Sequence, residues 1–387
     1  MGSNILDGLR LVELSAYVAA PLAGMSLAQL GAEVFRVDQE GGGPDLHRWP
    51  VTKGGVSHYW TGLNKAKRSV FVDLRREAGQ RRVQDLICET GVVLTNMPPR
   101  AWLDYETLRR RRPDLIMLVI RGTHDHRTAV DYTIQARTGL PFLNGDGRAD
   151  APINQALPAW DTTCGMTAAT GLLAAERRRR ATGEGAFIEL ALEDVALWTL
   201  GNLGYLSEAE LGESERTSHG NEVYGAFGRD FATACGRRVM VVALTSRQWR
   251  ALLAATELDD AFAHLERALG ADLDDDAERW RWRRAIAAIL EPWFEARDLD
   301  EVRRRFDAHR VLWGPYQSVG DLVRDDPACS EANPLFRRVD QPGIGSVLTP
   351  GTPLRFADVA DRGAAAAPEP GADTEAVLTG PAEPSRR

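Results

Sequence analysis

The sequence predicts an α/β fold: a parallel sheet covered by helices on both faces, followed by a smaller α+β unit. Three observations carry this. Short apolar runs alternate with helical patterns over the first 125 residues. The runs are continuously apolar rather than alternating, as in strands buried on both faces. Polar residues collect just after the runs, where ligands gather in such sheets.

Residues 9–14 (LRLVEL) read as the first strand. Pro21 can open a helix, LAGMSLAQL continues it, and Gly31 can close it. Residues 33–37 (EVFRV) and 68–74 (RSVFVDL) are the next strands, the second followed by an Arg-rich helix over 77–88. GVVLT (91–95) is a strand, 102–111 a helix stopped by Pro113, and DLIMLVI (114–120) a strand. At the carboxyl ends stand Asp38, Asp73, Arg75, Asn96, Arg121 and Thr123. SAYVAAPLAGM follows the first strand where a GxGxxG or Walker loop would stand, which disfavours a standard dinucleotide or nucleoside-triphosphate site. Residues 161–180 read as a helix with small early residues, AFIEL (186–190) as a strand and 193–206 as a second helix. Character shifts near Glu208: a Gly-bearing polar loop (212–230) leads to VMVVAL and a Trp- and acid-rich helical region over 249–310. After Val311 the chain reads as irregular, with an Ala/Pro/Glu-rich tail from Arg362 that should be mobile at its end.

Composition narrows the function. The 387 residues are 44% hydrophobic and 26% charged. That is ordinary for a globular protein, and no stretch approaches the ~20 apolar residues of a membrane span. No signal peptide is visible at the start, so a cytoplasmic location is expected. Forty-seven basic against 55 acidic residues give −8, which argues against nucleic-acid binding. Cys88, Cys164, Cys235 and Cys329 are dispersed, so neither a zinc site nor a disulfide framework is indicated, and reduced packing cysteines are expected. No metal is expected. The ten tryptophans read as core residues. Lysine occurs only at positions 53, 65 and 67. Coding bias explains its absence elsewhere; an anion site explains the cluster.

Asp161 stands where the loop ALPAW becomes a helix. It is either a plain N-cap or a carboxylate nucleophile kept ionised at a helix start. Cys164, Gly165 and Thr167 are small enough to admit an acyl group. His124 and His126 read as solvated loop histidines, His219 as part of a Gly-containing loop or a surface turn, and the runs 109–112 and 177–180 as solvated helix ends.

These residues, in this order, resemble the family III CoA-transferases. LDGLRLVELSAYVAAPLAGMSLAQLGAEVFRVD is similar to the family's first βαβ, NKAKRSVFVDLR to its NKR-S-x-x-x-D-L element, and VVLTNMPPRAWLDYETLRRRRPDLIMLVIRG to the stretch beginning VV-x-N-x-x-P. ATGEGAFIELALEDVAL is similar to its TGxGQ stretch, and the resemblance runs from about Leu6 to about Leu378. It implies a large Rossmann-like CoA-binding domain over 1–206, a small domain over 207–325, and a C-terminal segment over 326–387 that returns to the large domain. It also implies an interlocked homodimer, with the loop before Val223 as a candidate flexible connection. Asp161 falls on the catalytic aspartate. Val18, Ala19, Val72, Asp73, Leu74, Arg75, Asn96, Met97 and Pro98 fall on CoA-contacting elements. His219, Gly220, Asn221 and Gly225 are candidates for a substrate loop. Gln39 and Tyr105 stand at positions where the family often has arginine, which leaves Lys65, Lys67, Arg68 and Arg75 as candidates for the phosphate grip.

Inside the family, GGGPDLHRWPVT, HYWTGLNKAKRSV, LPAWD, GNEVYGAFGRDF, RRVMVVALTSRQW and QPGIGSVLTPGTPLRF are similar to members that move CoA between the C1 and C4 carboxyls of mesaconate. The implied reaction converts 2-methylfumaryl-CoA to 3-methylfumaryl-CoA through an aspartyl-CoA thioester. CoA then enters as part of the substrate, and no tightly bound cofactor is expected. The alternatives are intermolecular transfer to another acid, an acyl-CoA racemase and a non-enzymatic binder. A racemase needs an acid–base pair, and Val130 stands where its His would be, ahead of Asp131 and Tyr132. Oxyanion donors are expected from the helix start at Asp161 or from the loop over 220–228.

Overall fold

The computed structural model describes residues 4–145, 151–212, 216–359 and 363–379. The chain divides into two compact units. One gathers Met1–Thr138, Gln155–Ser214 and Asp326–Arg387; the other gathers Gly139–Asn154 and Glu215–Asp325. The expected boundary at 206 therefore shifts. Residues 139–154 group with the second unit and 207–212 with the first. Part of the loop expected to be the flexible connection, and the end of the tail expected to be mobile, lie outside the described residues.

The first unit is built on six strands: β1 (Arg10–Leu14), β2 (Glu33–Gln39), β3 (Arg68–Val72), β4 (Val92–Thr95), β5 (Ile116–Arg121) and β6 (Ala186–Ala191). All pairs are parallel, and the order is β3-β2-β1-β4-β5-β6. The order reverses between β1 and β4. That is the switch point beyond which a Rossmann-like sheet opens a crevice. The strands form because their apolar residues bury both faces: Leu11, Val12, Leu14, Val93 and Leu94 are solvent-free. Helix Glu77–Thr90 covers one face with Val83, Leu86, Ile87 and Thr90, spaced for one helical stripe, and ends at Gly91 in the left-handed conformation. Helix Ala19–Gln29 belongs to the other face and is lined almost throughout by small buried residues.

The exposed edge of β3 is completed from the far end of the chain. The Ser69 N–H donates to Asp373 Oδ2 at 2.9 Å, the Asp373 N–H to the Ser69 carbonyl at 2.9 Å, and the Phe71 N–H to Thr374 Oγ1 at 2.9 Å. An edge strand's unpaired backbone groups are thereby satisfied.

Beneath the β1 and β2 ends lies a buried ionic cluster. Arg36 holds Asp38 through two bonds of 2.9 Å, and its Nη2 lies 3.1 Å from Asp45. Lys67 Nζ donates to Glu13 Oε1 at 2.8 Å, to Asn64 Oδ1 at 2.9 Å and to the Pro21 carbonyl at 2.9 Å. Burial lowers the pKa of Lys67 to about 8, while Glu13 opposes that shift. Gly24 is obligatory above this cluster, since a Cβ there would lie 1.7 Å from Glu13 Oε2.

The cluster corrects one expectation. Lys67 has no exposed ammonium, Lys65 donates to the Gly62 carbonyl at 2.9 Å, and Arg68 pairs with Glu33 and Asp373. Of the four residues expected to grip phosphate, Lys67 is buried, the Arg68 side chain is 35% exposed and that of Arg75 78%. The lysines stand where a buried carboxylate and a carbonyl need them.

The second unit has an antiparallel sheet of β7 (Phe227–Ala232), β8 (Arg238–Ala243) and β9 (Leu312–Pro315), in that order. Helices over 246–309 pack on it around Phe231, Trp249, Phe262, Phe294 and Phe306. Phe231 and Phe294 stack at 4.4 Å. β7 occupies the end of a segment expected to be loop, and the helix expected over 193–206 breaks at Gly204, which adopts φ 83° between Leu192–Asn202 and Tyr205–Leu211. The irregular region after Val311 contains a hairpin, β10 (Phe336–Gln341) with β11 (Gly345–Pro350). The core assignment of tryptophan fails for Trp49 and Trp198, at 77% and 65% exposure. Cys235 is exposed rather than packed.

Lys67→Met should lower the unfolding free energy by about 3–5 kcal/mol, because it leaves a buried carboxylate uncompensated. Lys65→Met, which loses one bond to a carbonyl, should cost about 1 kcal/mol. Urea unfolding of the two variants checks the difference.

Candidate active site

Asp161 is the third residue of helix Ala159–Thr182, whose cap position is Pro158. It is not the N-cap. That task falls to Asp131, thirty residues earlier and 2% exposed. Asp131 Oδ2 accepts the Trp160 N–H at 2.7 Å and the Asp161 N–H at 3.1 Å, while Gln135 Nε2 donates to its Oδ1 at 2.5 Å. The Thr162 N–H bonds the Pro158 carbonyl. The helix-start donors expected to form an oxyanion hole are therefore occupied.

The Asp161 carboxylate itself accepts no hydrogen bond and makes no ion pair among the described residues. It is half-buried. Its pKa is raised to about 6, first by burial and then by the neighbouring charge of Asp131; Arg48 pulls the other way. Such a group is ionised at neutral pH yet more basic than a surface carboxylate, which suits a nucleophile. Cys164, one turn on, is buried, and burial followed by the charge of Asp161 pushes its thiol up to about 12. It remains a thiol and leaves the carboxylate as the reactive group.

Gly165 sets the depth of this helix. A Cβ there would meet the Ala19 carbonyl at 2.7 Å and Leu22 Cβ at 3.1 Å. The missing side chain lets Ala159–Thr182 lie against Ala19–Gln29, and so brings Asp161 beside the loop that follows β1.

A cleft of about 280 Å³ opens at the switch point, lined by Ser15 and Tyr17 after β1, Gln39 on β2, Leu74 after β3, and Met97 and Pro98 after β4. Asn96 ties two of these loops together. Its Oδ1 accepts the Ala16 N–H at 2.9 Å and its Nδ2 donates to the Ala16 carbonyl at 2.8 Å. Gln39 ties another pair, accepting the Leu74 N–H at 2.9 Å and donating to Asp73 at 3.1 Å. Asp73 also pairs with Arg75 and Arg76, and the bonds from Arg75 and Gln39 hold its pKa down to about 2. A second groove of about 660 Å³ shares Pro98 and runs past Arg100, Arg121 and Tyr105, which stacks on Phe187 at 5.0 Å.

Of the expected CoA residues, Leu74, Asn96, Met97 and Pro98 meet in one cleft. Val18, Ala19 and Val72 are buried, so only their backbone could face a ligand. His124 lies near Glu193 and Asp194, and His126 near Glu189, away from any three-ligand cluster among the described residues. Val130, the position of the racemase base, caps helix Asp131–Arg137 and is exposed. It offers no proton donor.

His219, Gly220, Asn221 and Gly225 belong to the second unit. Gly220 and Gly225 adopt φ 64° and 78°, which glycine tolerates best. His219 meets the Trp280 ring edge-on at 4.9 Å. Burial, followed by the Arg283 charge, lowers its pKa. Gly220 and Asn221 line a cavity of about 610 Å³ with Asn144 and Ile153.

The site residues that sequence reasoning missed are Asp131 as helix cap and Arg48 as the cation that tunes Asp161. Arg48 lies in the GGGPDLHRWPVT stretch and Asp131 follows Val130, but neither stretch shows which carboxylate or helix the residue serves.

Because the folded pKa of Asp161 exceeds its ordinary 3.8, ionising it costs stability. The cost is absent below about pH 4, grows through pH 6 and is complete above it. Asp161→Asn should therefore raise stability by about 1–2 kcal/mol at pH 7.5 and leave it unchanged at pH 4, as thermal melts would record. Gly165→Ala should cost about 1–3 kcal/mol by forcing the two helices apart.

The model of CoA-transferase family III matches residues 6–374. A protein of Chloroflexus aurantiacus named 2-methylfumaryl-CoA isomerase is 51% identical, over 97% of this chain and 93% of its own. A succinyl-CoA:mesaconate CoA-transferase of Haloarcula marismortui is 29% identical, over 91% of this chain and 90% of its own. A CAIB/BAIF family protein of Brucella suis superposes with a TM-score of 0.79 at 26% identity, covering 97% of this chain and 99% of its own. With its full-length match, its parallel sheet and its unpaired carboxylate at the head of a helix, the chain belongs to the family III CoA-transferases.

Proposed function

We propose that this chain moves CoA between the C1 and C4 carboxyls of mesaconate, converting 2-methylfumaryl-CoA to 3-methylfumaryl-CoA, with Asp161 as nucleophile. The observation that supports the nucleophile is the unpaired, half-buried Asp161 carboxylate, made more basic by burial and by Asp131. The substrate follows the 51% identical relative, which is named 2-methylfumaryl-CoA isomerase.

Asp161 attacks the C1 thioester carbonyl, the C–S bond breaks, and CoA thiolate leaves a mixed anhydride. The thiolate then attacks the aspartyl carbonyl. This frees the mesaconate C1 carboxylate and leaves Asp161 as a CoA thioester. Mesaconate turns within the site and its C4 carboxylate attacks the aspartyl thioester, expelling thiolate. Attack of the thiolate at C4 releases the product and restores Asp161. No proton needs to be moved, which fits a site whose neighbouring thiol stays protonated and whose Val130 offers no base.

CoA itself is assigned to the cleft at the switch point and the groove beside it, with Leu74, Met97 and Pro98 as wall and exposed Arg75 as a cation for a phosphate. His219, Gly220, Asn221 and Gly225 are carried forward as substrate-loop candidates on the resemblance alone. A homodimer, interlocked as the resemblance implies, is also proposed; exposed Trp198, Leu203 and Leu211 support a further partner surface. No helix among the described residues is long and apolar enough to cross a membrane, and a cytoplasmic enzyme is proposed.

Incubation with mesaconyl-C1-CoA alone, followed by chromatography of the CoA isomers, should yield the C4 isomer, and Asp161→Asn should lower its rate by several orders of magnitude. Product that appears only after a free acid is added would identify an intermolecular transferase instead. Arg75→Ala should weaken CoA binding in calorimetry by more than it slows turnover of bound substrate.

A further inference from the structure

Arg48 is bonded to no carboxylate among the described residues, and Asp161 is one its charge reaches. Its guanidinium carbon lies 5.2 Å from the centre of the Tyr17 ring and 4.8 Å from that of Tyr59, and it makes no ion pair among the described residues. Two aromatic faces hold it without neutralising it. An arginine so held has lost its rotamer freedom in advance and still has its planar fork to offer.

The position is enforced from two sides. The Arg48 carbonyl accepts the Ser57 hydroxyl at 2.6 Å. Tyr17 adopts φ 69°, the left-handed region a bulky residue rarely enters, and its N–H donates to Asp45 Oδ2 at 3.2 Å. Asp45 is itself held by Arg36 in the buried cluster. The strained tyrosine is therefore fixed by the core, and its ring fixes Arg48. Two residues beyond Tyr17, the Ala19 carbonyl packs on Gly165, one turn after Asp161. Arg48 thus sits on the Asp161 side of the β1 loop. It does not pair with that carboxylate, although its charge draws the Asp161 pKa down.

We propose that Arg48 anchors the free carboxylate of a dicarboxylic acyl group, and so both selects a dicarboxyl-CoA substrate and retains the acid while CoA changes ends. The inference rests on the reaction proposed above. During that reaction the acid is bound only non-covalently once Asp161 carries CoA, and one of its carboxylates must then be held while the other attacks. Because the anchor is a fixed cation rather than a proton donor, either carboxylate can occupy it in turn.

The test uses mesaconyl-C1-CoA, tigloyl-CoA, in which a methyl replaces the free carboxylate, and CoA itself. Calorimetry is done in the Asp161→Asn background, where nothing turns over. Adding Arg48→Gln should weaken mesaconyl-C1-CoA roughly 10- to 100-fold and leave tigloyl-CoA and CoA within about twofold; Arg48→Lys should fall between. With Asp161 intact, Arg48→Gln should also release mesaconate and incorporate added ¹³C-mesaconate into product. Equal weakening of all three ligands would make Arg48 merely structural and overturn the proposal, as would unchanged binding of mesaconyl-C1-CoA. If the Asp161→Asn protein does not prefer mesaconyl-C1-CoA over tigloyl-CoA, the dicarboxyl substrate itself fails, and Arg48 with it. If that preference exists and depends on Arg48, yet turnover needs an added acid, the anchor stands and only the intramolecular reading is lost.

Discussion

The site depends on the burial of Arg36 and Lys67 among Glu13, Asp38 and Asp45. Charges taken out of water cost several kcal/mol each, and only close mutual pairing offsets that cost. The return is positional rather than energetic. Arg36 reaches from β2 to Asp45 on the following loop, Lys67 from the start of β3 to Glu13 on β1 and to the Pro21 carbonyl of the next helix. Three strand ends and two loops are thereby locked in register, because no member can shift without stranding a charge. A hydrophobic core fixes spacing, whereas this cluster also fixes direction. Tyr17 inherits that direction through its bond to Asp45, and the walls of the switch-point cleft inherit it from the strands.

Asp131 and Asp161 divide between them two roles that one aspartate could have filled. A carboxylate that caps its own helix is neutralised by the N–H groups it accepts, and its acidity rises. With Asp131 in that position, Asp161 keeps the favourable end of the helix dipole but not its hydrogen bonds. The nearby anion raises its basicity further, and Arg48 limits the rise. The resulting balance keeps the group charged at neutral pH while leaving its lone pairs free.

Much of this was legible in the residues. The six parallel strands follow from apolar runs bounded by turns, and Asp161 stands out as an acid at the start of a helix of small residues. What failed was whatever depends on pairing across the fold. The lysine cluster suggested an anion site, since a sequence does not reveal that Lys67 meets Glu13 from 54 positions away. β7 was hidden because Arg229 and Asp230 interrupt its apolar pattern, and their tolerance comes from Glu291 and Arg238. Arg48 was one of forty-four arginines, and although it lies in a stretch that resembles the family, the two tyrosine rings that hold it meet only in the fold.

The bond between Ser69 and Asp373 spans 304 positions of chain. During synthesis, β3 therefore emerges with a bare edge and waits for the 304 positions that separate Ser69 from Asp373 before that pair can form. The second unit, formed by a largely continuous stretch, can fold while the first is still open. A nascent chain in this state offers its uncovered strand to any neighbour, including another copy of itself on the same message. Asp373 and Thr374 are thus a closure for the first unit, and the order of events in folding is set by how far they lie from β3 along the chain rather than by where the site lies.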